Sequence, residues 1–131
     1  MSYRLKVLTA NAALDAIAAL FPAGSILMVY KDTIPTDADT AIGAQTKLAE
    51  ITLPATPWAA ASARSVAKQG VWSDSSANAG AADTPTWCRL KNAADTHRID
   101  MTAGIGSGDA SFDGTITAGQ VVTVTSLTIT C

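Results

Sequence analysis

Gly119-Gln120-Val121-Val122-Thr123-Val124-Thr125-Ser126-Leu127-Thr128-Ile129-Thr130-Cys131 decides the fold. A turn residue followed by a run rich in β-branched residues is a strand signal. The run changes phase inside itself. Val122 and Val124 share one parity, whereas Leu127 and Ile129 share the other. In a regular strand these pairs would face opposite sides of the sheet. A β-bulge near Thr125-Ser126 puts all four on one side. Burial of both faces is the other solution. Either way the last residues are expected to be held in a sheet.

Further strands follow from the same signals. Ser25 to Tyr30 reads as a buried strand and Thr46 to Leu53 as a second, closed by Pro54 and Pro57. Ser65 to Ser73 is a third, interrupted near Gln69-Gly70. Thr86 to Lys91 and His97 to Thr102 flank Asn92-Ala93-Ala94-Asp95, a hairpin signal. Lys31–Ala44, Ser73–Pro85 and Gly104–Gly114 read as loops, with Thr115 and Ile116 a short strand. One helix is expected, from Asn11 to Phe21. Leu14, Ile17, Ala18 and Phe21 form an apolar stripe, Thr9 or Asn11 is placed to cap it, and Pro22 with Gly24 ends it. The expectation is a mainly-β, jelly-roll-like β-sandwich with one short N-terminal α-helix. It forms a single domain over 1–131, with an N-terminal arm and helix over about 1–22.

Composition narrows the function. The 131 residues carry a net charge of −2, and only 15% are charged. There is no basic stripe for nucleic acid and no polybasic segment for a membrane surface. No window is long and apolar enough to span a bilayer, and Asn11 and Asp15 break a signal-peptide core. The 26 alanines and 17 threonines suit a weakly charged surface that neighbours cover. Cys88 and Cys131 are too few for a disulfide framework; free buried thiols and a single bridge are both open.

Candidate chemistry is sparse. Asp109, Ser111 and Asp113 fall at the ligand positions of a calcium loop, with Gly114 at the turn. Gln120 replaces the closing carboxylate and the flanks are not helical, so only a weak calcium site in a β-loop survives. Gly104-Ile105-Gly106-Ser107-Gly108 lacks the following helix that a phosphate cradle needs. His97 is the only histidine. It has no nucleophile-elbow pattern beside it and no metal partner. Asp37 and Asp39 read as a solvated loop. Trp58, Trp72 and Trp87 are either core or interface anchors, or sugar-stacking rings.

The order of these segments resembles a known group. Asn11 with Leu14-Asp15-Ala16, Gly24 with Ile26–Tyr30, and Leu48-Ala49-Glu50-Ile51-Thr52-Leu53 come first. Trp72-Ser73-Asp74-Ser75-Ser76, Trp87-Cys88-Arg89-Leu90, His97-Arg98-Ile99-Asp100 and the closing Gly119–Ser126 follow. The sequence resembles small virion structural proteins of tailed bacteriophages, over nearly the whole chain. The resemblance implies a non-enzymatic protein without cofactors, a capsid decoration (cement) protein on the expanded head. Its implied partners are the major capsid protein and itself, as a homodimer or homotrimer, with no nucleic acid and no membrane. It would be made in the host cytoplasm and end on the virion surface, with Lys31–Ala44 and Ser73–Pro85 laid across neighbours. The resemblance assigns no functional residue. Interface candidates read from the sequence are Tyr3, Leu5, Trp58 and Trp72. Rival expectations are a tail or head–tail connector protein, and a carbohydrate-binding module using Trp58 or Trp72.

Overall fold

A computed structural model describes residues 4–75, 77 and 83–131. The chain is mainly β, with one short helix packed on a curled sheet. The helix α1 spans Val7–Ala19, and the strands are β1 (Ile26–Tyr30), β2 (Lys47–Thr52), β3 (Ser65–Ala67) and β4 (Ser73–Asp74). They continue with β5 (Trp87–Lys91), β6 (Arg98–Ile105), β7 (Ala110–Phe112) and β8 (Val122–Thr130). The hydrogen-bonded order is β2-β1-β5-β6-β7-β8-β3, with β4 also on β8. Pairing is antiparallel except between β6 and β7, which run parallel.

The bulge in β8 is where the parity change requires it. Ser111 pairs with Ser126, but Phe112 pairs with Val124, leaving Thr125 as the extra residue. Its hydroxyl donates to the Ser111 carbonyl at 3.0 Å, which occupies a group the interrupted ladder leaves open. Val122, Val124 and Leu127 are consequently all buried, and Ile129 packs against the same core. The interruption near Gln69-Gly70 is equally real. β3 and β4 are two pieces along one edge of β8, joined by Lys68 N–H to the Leu127 carbonyl (2.9 Å) and Val124 N–H to the Trp72 carbonyl (3.0 Å). Gly70 sits between them at φ +76°.

The sheet curls around one core of Leu27, Val29, Leu48, Ile51, Leu90, Phe112, Val124, Leu127 and Trp72, among others. The curl brings β4 back to β2, the opposite end of the sheet. There the Asp74 carboxylate accepts the Glu50 N–H at 3.1 Å, so an edge strand is covered by a side chain.

The helix differs from expectation at its start. It begins at Val7, and its N-cap Lys6 makes no side-chain cap. Ala10, Leu14 and Ala18 are its buried stripe. Asn11 caps nothing; its carboxamide oxygen accepts the Arg64 N–H at 3.0 Å, and Asp15 accepts the Ala61 N–H at 2.8 Å. Two polar residues thus tie the helix to the chain leading into β3.

Gly104–Gly114, expected as a loop, holds the end of β6 and all of β7. The glycines permit close backbone approach. A Cβ on Gly108, at φ +81°, would lie 3.0 Å from the backbone of Ala103. The four residues 106–109 therefore fold flat onto β6, and β7 starts alongside Ala103.

Candidate functional site

Strand alternation gives β1, β5 and β6 two faces. One carries Leu27, Val29, Cys88, Leu90 and Met101 into the core. The register places Met28, Arg89 and Asp100 together on the other face, and Tyr30, Trp87 and Thr102 beside them. That second face is also largely sealed. Tyr30 and Trp87 stack at 4.6 Å with rings 14° apart. The Arg89 guanidinium lies 5.7 Å from the Trp87 ring. It donates to both Asp100 oxygens, at 2.6 and 2.8 Å. The two side chains are only 3% and 7% exposed, and the bonds to Asp100 raise the Arg89 pKa above its ordinary value. The lid is the segment between β1 and β2. Thr86 donates to the Asp32 carbonyl (2.8 Å), and Arg98 to the Ala38 carbonyl (3.3 Å). Lys31 pairs with Asp83 at 2.9 Å. The loop expected to lie across neighbours also touches the chain's own sheet at Asp32 and Ala38. Sequence reading missed this layer. Its only signal was the alternation Trp87, Arg89 against Cys88, Leu90, with a buried role for Arg89 visible only once β6 supplies Asp100.

The acids and the histidine are committed elsewhere. Asp109 and Thr102 clasp each other: the carboxylate accepts the Thr102 N–H (3.3 Å) and hydroxyl (3.0 Å), and the Asp109 N–H reaches the same hydroxyl oxygen at 3.1 Å. Ser111 is buried in β7, with its hydroxyl directed to the Ser107 carbonyl at 3.5 Å. Asp113 is exposed. Two of the three calcium candidates thus have protein partners, and among the described residues no group of three His, Cys, Asp or Glu side chains is placed to hold a metal. His97 belongs to the hairpin turn. Its N–H and that of Thr96 both donate to the Asn92 side-chain oxygen, at 3.0 and 2.8 Å. Asp37 accepts the N–H and hydroxyl of Thr40 (2.9 and 2.8 Å), which holds its pKa below the usual value. Cys88 and Cys131 are free; burial pushes the Cys88 thiol pKa far up.

The interface candidates separate. Trp72 is fully buried in the core, which corrects its reading as a contact residue. Its indole N–H donates to the Gln69 carbonyl at 3.1 Å. Trp58 is half-buried and meets Trp72 edge to face at 5.1 Å. Its N–H donates to the Phe21 carbonyl at 2.9 Å, fixing the ring. It lines an apolar groove of about 360 Å³ between the C-terminal half of α1, Pro22-Ala23 and Ala55–Ala60. Six alanines in its lining leave room beside Trp58. Leu5 is half-buried just ahead of α1. Tyr3 lies outside the described residues, as does much of the Ser73–Pro85 connection.

Sequence reading also missed exposed apolar side chains beside the strands. β4 pairs with β8 through Ser73 opposite Thr123 and Asp74 opposite Val122. Val122 is buried, whereas Val121 just ahead of β8 and Val71 just ahead of β4 are exposed. They are 59% and 71% exposed, and Leu8 at the start of α1 is 70% exposed. The arrangement offers exposed apolar side chains at the ends of strands and of α1, and a fixed indole beside a groove. No helix among the described residues is long and apolar enough to cross a membrane. Comparison with protein-family models, with curated proteins and with solved structures finds no match for this chain, so its functional reading rests on residues and geometry.

Proposed function

We propose that this chain is a phage virion structural protein, a capsid decoration (cement) protein that binds and stabilises the expanded head. It acts by binding, and its partner is the major capsid protein. The observation that carries the reading is the exposure of Val71 and Val121, which lie just ahead of the paired strands β4 and β8. Apolar side chains exposed on a weakly charged surface gain from being covered. The resemblance in residue order to tailed-phage virion proteins supports the same role. Lattice binding needs no single strong contact, because many modest contacts to one shell act together. The finer fold reading belongs to this proposal: the β2-β1-β5-β6 and β7-β8-β4 halves of the curled sheet form an open, jelly-roll-like sandwich around the core.

The test is cosedimentation with expanded, DNA-free shells that lack the protein. Saturable binding over the shell, with greater resistance of the particle to heat, is the expected result. Val71→Asp/Val121→Asp should leave the fold intact and abolish binding. Failure of the unmodified protein to pellet with shells overturns the decoration role. Binding confined to tails or to the portal vertex assigns it instead to the tail or connector.

A further inference from the structure

The groove beside Trp58 has two walls that the fold fixes at both ends. One wall is the C-terminal half of α1. Asp15, Ala18 and Ala19 fall at i, i+3 and i+4, so they share a face, and Pro22 with Ala23 extends it. The other wall is the segment 55–60. At one end the Asp15 carboxylate accepts the Ala61 N–H at 2.8 Å. At the other the Trp58 indole N–H donates to the Phe21 carbonyl at 2.9 Å, and the ring is held edge to face on Trp72. Asp15 and Phe21 are separated by about 9 Å along a helical path. A volume of about 360 Å³ is near the lower limit for a ligand site, which suits one long side chain and the backbone on either side of it.

The charge around the groove has one sign. Among the described residues Asp15 is the only charged side chain that lines it; Asp15 is exposed and makes no salt bridge. The last turn of α1 carries no basic residue, so nothing offsets the negative end of the helix dipole on the same wall. Trp58 adds part of an aromatic ring, whose face attracts cations. Between these groups the lining is alanine methyls and proline rings, which an aliphatic stem covers and a hydrated ion does not. Lys68 stands opposite Trp58 in an isolated bridge, but its ammonium donates to the Gly70 carbonyl at 2.8 Å and it does not line the groove.

We propose that this groove binds a lysine side chain carried on an extended segment of a partner protein, with the ammonium at Asp15 and the stem along Ala18, Ala19 and Trp58. The occupied oxygen of Asp15 selects lysine over arginine. Oδ1 already takes the Ala61 N–H. The remaining oxygen suits a point charge, whereas a guanidinium fork is best met by both oxygens of one carboxylate. The apolar length between Asp15 and the Phe21 end selects lysine over a small amine, because the four-carbon stem covers methyl groups that a small amine leaves wet. The partner's backbone then leaves the groove beside Pro22 and Thr56.

Lysine binding is independent of the decoration role, and its test needs no shells. The isotopically labelled full chain is titrated with acetyl-Ala-Lys-Ala-amide and with its norleucine and arginine counterparts, and the Trp58 indole and Ala61 amide signals are followed by NMR. Both signals should shift saturably with the lysine peptide. Affinity should fall about fivefold with norleucine, the worth of one exposed ion pair, and arginine should lie between. Asp15→Asn keeps an oxygen for the Ala61 N–H, so its spectrum should stay dispersed, and it should bring the lysine peptide down to the norleucine level. Ala19→Leu fills the groove with a good helix former and should block every peptide. No shift at Trp58 and Ala61 overturns the proposal, and so does equal affinity for lysine and norleucine. Unchanged lysine binding in Asp15→Asn overturns it as well, and tighter binding of the arginine peptide overturns the assignment to lysine.

Discussion

Replacing Asp100 with alanine tests the sealed ionic layer most directly. The substitution removes the partner of a guanidinium that is 3% exposed and bonded at 2.6 and 2.8 Å. Arg89 cannot shed its charge near neutral pH, and the β1–β2 segment closes off water. Stripping one member from such a buried pair costs about 3–5 kcal/mol. Urea unfolding of a small domain has a slope of about 2 kcal/mol per molar, so the midpoint should fall by roughly 2 M. The comparison is Arg89→Met/Asp100→Leu, which removes both charges and keeps the volume. Its loss should be at most about 1 kcal/mol, because the desolvation of the two charges disappears with their attraction. Equilibrium urea curves by tryptophan fluorescence give both values, and the slope reports whether the unfolded states match. If Asp100→Ala costs less than about 1 kcal/mol, water reaches Arg89 and the lid over this face does not seal it. If the double variant is as damaged as the single one, the pair is needed for its hydrogen bonds and not merely tolerated.

Three further outcomes follow from individual residues. Gly108→Ala should destabilise by about 1–3 kcal/mol, since a positive φ and a 3.0 Å approach to Ala103 act together; thermal unfolding reads it. Asp95 is held below its ordinary value of 3.8 by its bonds to Arg98. A depressed folded value means the unfolded chain binds more protons in that window, so stability should drop as pH falls from about 4 through the folded value. Asp95→Asn should flatten that part of the curve, and an unchanged curve removes Asp95 as a contributor. In native protein a thiol reagent should label Cys131 and leave Cys88 unmodified until denaturant is added, because Cys88 is buried with its thiol pKa pushed far up. Fast native labelling of both would show that the β5 core opens readily.

Much of the sheet was legible because its signals are local. The parity change in β8 left a bulge or burial of both faces as its two solutions, and Thr125 supplies the bulge. Gln69-Gly70 broke one edge strand into two, and Asn92–Asp95 made the hairpin turn that Asn92 now closes with its side chain. The helix stripe was also readable, but not its start, because Asn11 serves Arg64 in another segment and leaves the cap empty. The glycines at 104–108 suggested slack, whereas they allow a flat fold onto Ala103 that only the folded backbone reveals. β7 was too short to carry a periodic signal. The burial of Arg89 left no local signal, because its partner comes from the next strand and a segment some fifty residues earlier reaches over this face. The mainly-β class is therefore plain in the sequence, while the exposure of Val71 and Val121 depends on how the chain enters β4 and β8, which no single stretch encodes.

The meeting of β4 and β2 has a mechanical consequence. Along most of the sheet, neighbouring strands are stitched by repeated main-chain bonds that rupture together. At this seam, among the described residues, β2 and β4 form no main-chain ladder, and the Asp74 carboxylate takes the Glu50 N–H. A pull applied through β2 would meet its weakest resistance there. The ring would part at the seam like an unclasped bracelet, with the β1–β5–β6 links still fastened.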